Sequence, residues 1–81
     1  MVHRTDLKEE LSRSAALLTS LRDEVRVQAH LGSLEAQQHW REIEPRVEAV
    51  LRRAADDVSE ATQRAVDEAM KLLRDLGRPL H

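Results

Sequence analysis

Small and apolar residues recur at intervals of three and four along nearly the whole chain, and this regularity constrains the fold more than any other feature. Leu7, Leu11, Leu18, Leu21, Val25, Ala29, Gly32, Ala36, Trp40 and Ile43 form one stripe, interrupted by polar Ser14. Val47, Leu51, Ala54, Val58, Ala61, Ala65, Ala69, Leu72 and Leu76 continue it. Such spacing gathers side chains on one face of an α-helix, whereas strict alternation would mark a strand. The residue types agree: Trp40 is the only aromatic residue, and Phe, Tyr and Cys are absent. Strands draw on aromatic and β-branched side chains, so the expectation is an all-α fold.

The face opposite the stripe carries acidic residues four positions ahead of basic ones, at Glu9/Arg13, Glu42/Arg46, Glu48/Arg52, Glu60/Arg64 and Asp67/Lys71. That order favours helix by about 0.2–0.5 kcal/mol per pair and describes a solvated face. Asp6 and Glu9 form a capping-box-like pair for a helix beginning at Leu7. Leu76-Gly77-Arg78-Pro79 puts a glycine and then a proline just past the last apolar residue, a stop signal.

A chain of 81 residues cannot form one straight helix and still bury its stripe, so it must bend. Gly32-Ser33 and Glu44-Pro45 are the two places for it. Proline inside a helix costs about 3 kcal/mol and glycine about 1 kcal/mol relative to alanine. On that comparison the break belongs at Pro45, giving a single helical domain over 1–81. It has one helix over about 6–43, a turn near 44–46, a second helix over about 45–76 and a frayed tail over 77–81. A turn at Gly32-Ser33 with a short middle helix is the alternative. The resulting antiparallel hairpin is coiled-coil-like and leaves Leu17, Val27, Leu31, Val50, Val66, Met70 and Leu73 uncovered. Small domains are marginal alone, and without cysteine no disulfide is available to staple this one. The expected remedy is a homodimer, most simply an antiparallel four-helix bundle, with another helical protein as the second choice of partner.

The residues expected at helix–helix interfaces are Leu7, Leu11, Leu18, Leu21, Val25, Ala29, Gly32, Ala36, Trp40, Ile43, Val47, Leu51, Val58, Ala65, Leu72 and Leu76. Trp40 reads as a plug packed at the closed end of the hairpin rather than as a docking anchor. Glu35 and His39 lie one helical turn apart, but Glu-x-x-x-His beside Gln38 and Arg41 is not the Glu-x-x-His of carboxylate metal sites in bundles, and no metal or other cofactor is expected. His30 and His39 are the only histidines inside the helical region, and His3 and His81 lie near the ends. No phosphate loop, catalytic triad or zinc signature is present, so an enzyme is not expected. A site completed by another chain is the form catalysis would take.

Charged residues make up 35% of the chain yet cancel to a net charge of -2, which gives no field to collect nucleic acid or an anionic membrane. Arg52-Arg53 is followed by Asp56-Asp57, and nucleic acid is not an expected partner. No apolar run reaches the ~18–20 residues of a transmembrane helix, and Met-Val-His-Arg-Thr-Asp lacks the apolar core of a signal peptide. A cytoplasmic location is the expectation. The sequence therefore reads as a non-enzymatic, self-associating adaptor, scaffold or assembly subunit acting through helix packing. The competing reading is an apolipoprotein- or phasin-like protein that opens its hairpin onto a lipid or polymer surface.

Overall fold

A computed structural model describes residues 4–77. The fold is all-α, with three helices in sequence: α1 (Arg4–Leu31), α2 (Leu34–Asp56) and α3 (Glu60–Gly77). Among the described residues there is no strand. Arg22 on α1 reaches Glu48 on α2 at 2.8 Å, and Gln37 donates to the carbonyl of His30 across the α1–α2 turn. These contacts set α1 and α2 antiparallel. Gln63 on α3 donates to Ser14 on α1 at 3.0 Å, which brings the start of α3 beside the first half of α1, so the two run parallel.

At 1.5 Å per residue the 28 residues of α1 span about 42 Å, close to the long dimension of 44 Å. The 18 residues of α3 span only about 27 Å and stop short of the α1–α2 turn. The core is one cluster built on Leu11, Leu18, Val25 and Ala29 of α1, Trp40 and Val47 of α2, and Val66, Ala69 and Leu73 of α3.

Two expectations about chain organisation are corrected. Helix α2 runs straight through Pro45, so neither the two-arm hairpin nor the turn near 44–46 is found. The first break is at Gly32-Ser33, where Ser33 caps α2 by accepting from the Ala36 N–H at 3.2 Å. Pro45 lacks the N–H that would bond the Arg41 carbonyl, but both residues lie on the exposed face, where water can serve that carbonyl. The comparison of local costs was too narrow. Three helices fully bury Val66 and Leu73, which the hairpin leaves uncovered, and each such side chain contributes about 1.5–3 kcal/mol. Together they offset the ~3 kcal/mol cost of the internal proline.

The second break, at Asp57-Val58-Ser59, has no glycine or proline to announce it. Side chains make it. The Asp57 N–H bonds the Arg53 carbonyl at 2.7 Å and closes α2, while Ser59 opens α3 by accepting from the Thr62 N–H at 3.1 Å. Helix α1 begins at Arg4, upstream of the expected start, so Asp6 lies in its first turn rather than at its cap. The end of α3 at Gly77 agrees with the glycine stop signal, while Pro79, the rest of the tail over 78–81 and His3 lie outside the described residues.

Candidate interaction surface

The expected interface residues form the inside of this bundle. Leu11, Leu18, Val25, Ala29, Trp40 and Val47 are buried, and Leu7, Leu21, Ala36, Ile43, Leu51, Val58, Ala65 and Leu76 are half-buried. Gly32 is exposed in the first turn. Trp40 is packed as expected, at 7% exposure, but between helices in the first half of α2 rather than at the closed end of a hairpin. Leu72 is corrected: it stands 41% exposed while its neighbour Leu73 is fully buried. The face of α3 that turns inward is Thr62, Val66, Ala69 and Leu73, one residue round from the stripe through Ala61, Ala65 and Leu72. Polar Thr62 hid this register in the sequence. The signal that reveals it is Ser59-Glu60, a favourable cap followed by an acidic first residue.

Thr62 tolerates full burial because its hydroxyl is satisfied. It donates to Asp57 Oδ2 at 2.6 Å, and Ser59 Oγ lies 2.9 Å from the same oxygen and 3.1 Å from Thr62 Oγ1. Ser59 has one proton, and the shorter contact to the charged acceptor claims it. These two hydroxyls, with the Arg53 guanidinium behind them, hold the Asp57 carboxyl below its ordinary value.

The ion pairs among the described residues differ from the expected ladder. Arg22 joins Asp23 at 3.0 Å and Glu48 at 2.8 Å, and Asp23 also meets Arg26 at 3.2 Å. Hydrogen bonding to Asp23, followed by the charges of Glu48 and Asp23, holds the Arg22 guanidinium still more firmly protonated. Glu48 thus reaches across to α1 rather than along its own helix to Arg52. The pair is partly open to water and stabilises by no more than about 1 kcal/mol.

With the core closed, several large apolar side chains remain outside it. Leu17 is 59%, Val27 58%, Leu31 81% and Leu34 73% exposed. On α1 the positions 17, 20, 24, 27 and 31 follow a three-four spacing along the face opposite the core, with Ser20 and Glu24 between the apolar members. Leu34, the first residue of α2, is exposed just past the turn. Around the bundle from it, an open groove between α1 and α2 is floored by Ala15, Ala54 and Leu51 and closed at one end by Arg22 and Glu48.

His30, His39 and Glu35 are all exposed, and among the described residues no three His, Asp or Glu side chains converge as metal ligands would. No described helix is long and apolar enough to cross a membrane. No protein-family model, curated protein or solved structure matches the chain.

Proposed function

We propose that this chain is a non-enzymatic helical interaction module of the cytoplasm that associates with itself, as a dimer or higher oligomer, and serves as an adaptor or assembly subunit. The observation that carries the reading is the seam of Leu17, Val27 and Leu31, with Leu34 beyond it, left outside a core that is already complete. Isolated exposed leucines are ordinary on proteins, but an in-register row on one helix face is the pattern a second helix recognises. With three helices already packed, association does not depend on two hairpins completing a four-helix core.

Light scattering at micromolar concentration tests this reading, with a dimer or larger species expected. A monomer that persists to several hundred micromolar overturns it. A second reading, coating of a lipid or polymer surface, draws on the clustering of Leu31 and Leu34, the two most exposed large apolar side chains, at one tip of the bundle. Flotation with anionic liposomes separates the two: recovery with the vesicles favours the coat, and recovery in the protein fraction favours the module.

A further inference from the structure

We infer that two copies of this chain associate by exchanging α3, each copy's third helix packing on the face of α1 and α2 in the other that its own α3 covers in the closed chain. The inference rests on the self-association proposed above and specifies how it occurs. Three observations on the α2–α3 junction carry it.

The first is that nothing in the backbone requires the bend. Residues 57–59 contain no glycine or proline, no described residue has a positive φ, and Asp57 sits at φ -121° and ψ 102°. Rotation at a few such residues turns Arg53–Thr62 into uninterrupted helix. The α1–α2 turn differs in holding Gly32, a residue that disfavours a continuous helix.

The second is that the junction is held by a side-chain latch. Asp57 Oδ2 receives Thr62 and Ser59, and Ser59 receives the Thr62 amide. Straightening gives up these bonds, but it gives the amides at the start of α3 helical carbonyl partners that a helix N-terminus lacks. The two arrangements therefore trade one set of hydrogen bonds for another.

The third is that the core of α3 is transferable. Val66, Ala69 and Leu73, the Gln63–Ser14 bond and the half-buried Met70 meet the same surface whether α1 and α2 belong to their own chain or to a second copy. Exchange therefore keeps this packing, and a short hinge between two packed helices is the setting in which it occurs. In the fused helix, roughly 65 Å long, the inward faces of the α2 and α3 halves lie about 70° apart, which fixes how the two bundles are rotated about their common axis. The row from Leu17 to Leu31 stays on the outside of each bundle, where it can join exchanged dimers into the higher oligomers proposed above.

Two variants and one crosslink test this. Asp57→Ala removes the latch from the closed monomer only, and one charge-assisted hydrogen bond lost from one state shifts the balance about tenfold per copy, hence about a hundredfold in the dimer dissociation constant. Glu60→Pro fits the first position of α3 in the closed form but breaks a continuous helix, so it should fold and melt as the monomer does while its dimer disappears. For the crosslink, a chain carrying Glu10→Cys is unfolded and refolded with one carrying Arg64→Cys, two exposed positions that flank the α1–α3 seam. A short bismaleimide should join the two chains in the mixed dimers, about half of those formed, as readily as it joins both cysteines of a doubly substituted chain. A dimer that survives Glu60→Pro at full strength and does not crosslink between chains overturns exchange while leaving self-association intact. A monomer in both the unaltered protein and Asp57→Ala overturns both.

Discussion

Leu72 and Leu73 are adjacent, chemically identical and assigned opposite environments, so truncating each in turn tests the register of α3 directly. Leu73 is fully buried within the cluster formed by all three helices, whereas Leu72 is 41% exposed. Leu73→Ala removes the transfer free energy of its buried carbons and leaves a cavity between helices that cannot fully collapse, a loss of about 3 kcal/mol. Leu72→Ala forfeits only part of a side chain already in contact with water and leaves no enclosed space, a loss of about 1 kcal/mol or less. For a domain of this size 1 kcal/mol moves the melting temperature by roughly 4–8 °C, so Leu73→Ala should melt about 12–24 °C lower and Leu72→Ala within about 8 °C of the parent. Urea unfolding followed by circular dichroism and by Trp40 emission gives the two free energies on the same sample. Equal losses, or a greater loss for Leu72→Ala, would refute the bundle and restore the stripe through Ala61, Ala65 and Leu72.

Trp40 emission should be blue-shifted and protected from quenchers, and Trp40→Ala should cost about 3–5 kcal/mol; a red-shifted, freely quenched emission would place this residue on the surface. Gly32→Ala should change stability by no more than about 0.5 kcal/mol, because reduced freedom in the unfolded chain is countered by a new Cβ lying 3.1 Å from the Gln28 carbonyl oxygen, and urea midpoints measure it. Asp57 is held below its ordinary value in the folded state, so its stabilisation is present above the ordinary carboxylate range and is lost as the pH falls through the lowered folded value. The gap in unfolding midpoint between the parent and Asp57→Asn should therefore be widest near neutrality and close in strong acid; a gap that persists unchanged at acid pH would show that the Thr62 and Ser59 hydroxyls do not act through the charge.

Helix type was legible because periodicity is a property of each segment alone, and Leu11, Leu18, Val25, Ala29, Trp40 and Val47 stand out as buried from their spacing of threes and fours. Where the helices stop was less legible. Pro45 has the largest local cost in the chain, yet the helix passes through it, since a sum taken over one residue omits what a third helix covers elsewhere. Asp57-Val58-Ser59 carries almost no local signal and still breaks the helix, since its cap is assembled from Thr62, three residues into the next element. The candidate interaction surface was legible only in part. Leu17, Val27 and Leu31 were recognised as apolar residues outside the stripe, but Val50, Val66, Met70 and Leu73 were grouped with them because two arms cannot cover what three can. Leu34 was missed, for it flanks the stripe only after the chain turns at Gly32.

Two polar positions interrupt the otherwise apolar inward faces, Ser14 and Thr62, and both are engaged in hydrogen bonds between elements. Apolar contacts are non-directional, so a stripe of leucine and alanine discriminates less sharply between neighbouring registers than a hydrogen-bonding group does. A buried hydroxyl discriminates strongly, because a slip leaves it without a partner. Ser14 receives the Gln63 amide and sets α3 against α1, while Thr62 donates to Asp57 and sets the start of α3 against the end of α2. The register they select is not free of cost. Gln63 Oε1 is buried without a partner, and turning the amide over would set that oxygen against the Asp67 carboxylate, to which the amide nitrogen now donates at 3.1 Å. A core that accepts an unsatisfied carbonyl in order to keep Gln63 on Ser14 and Asp67 is one whose apolar residues do not fix the register by themselves. The polar contacts at the α2–α3 junction and along the α1–α3 seam therefore help decide which packing of α3 is adopted; the Gln63–Ser14 contact is one that α3 would re-form on a second copy, whereas the junction contacts would be given up.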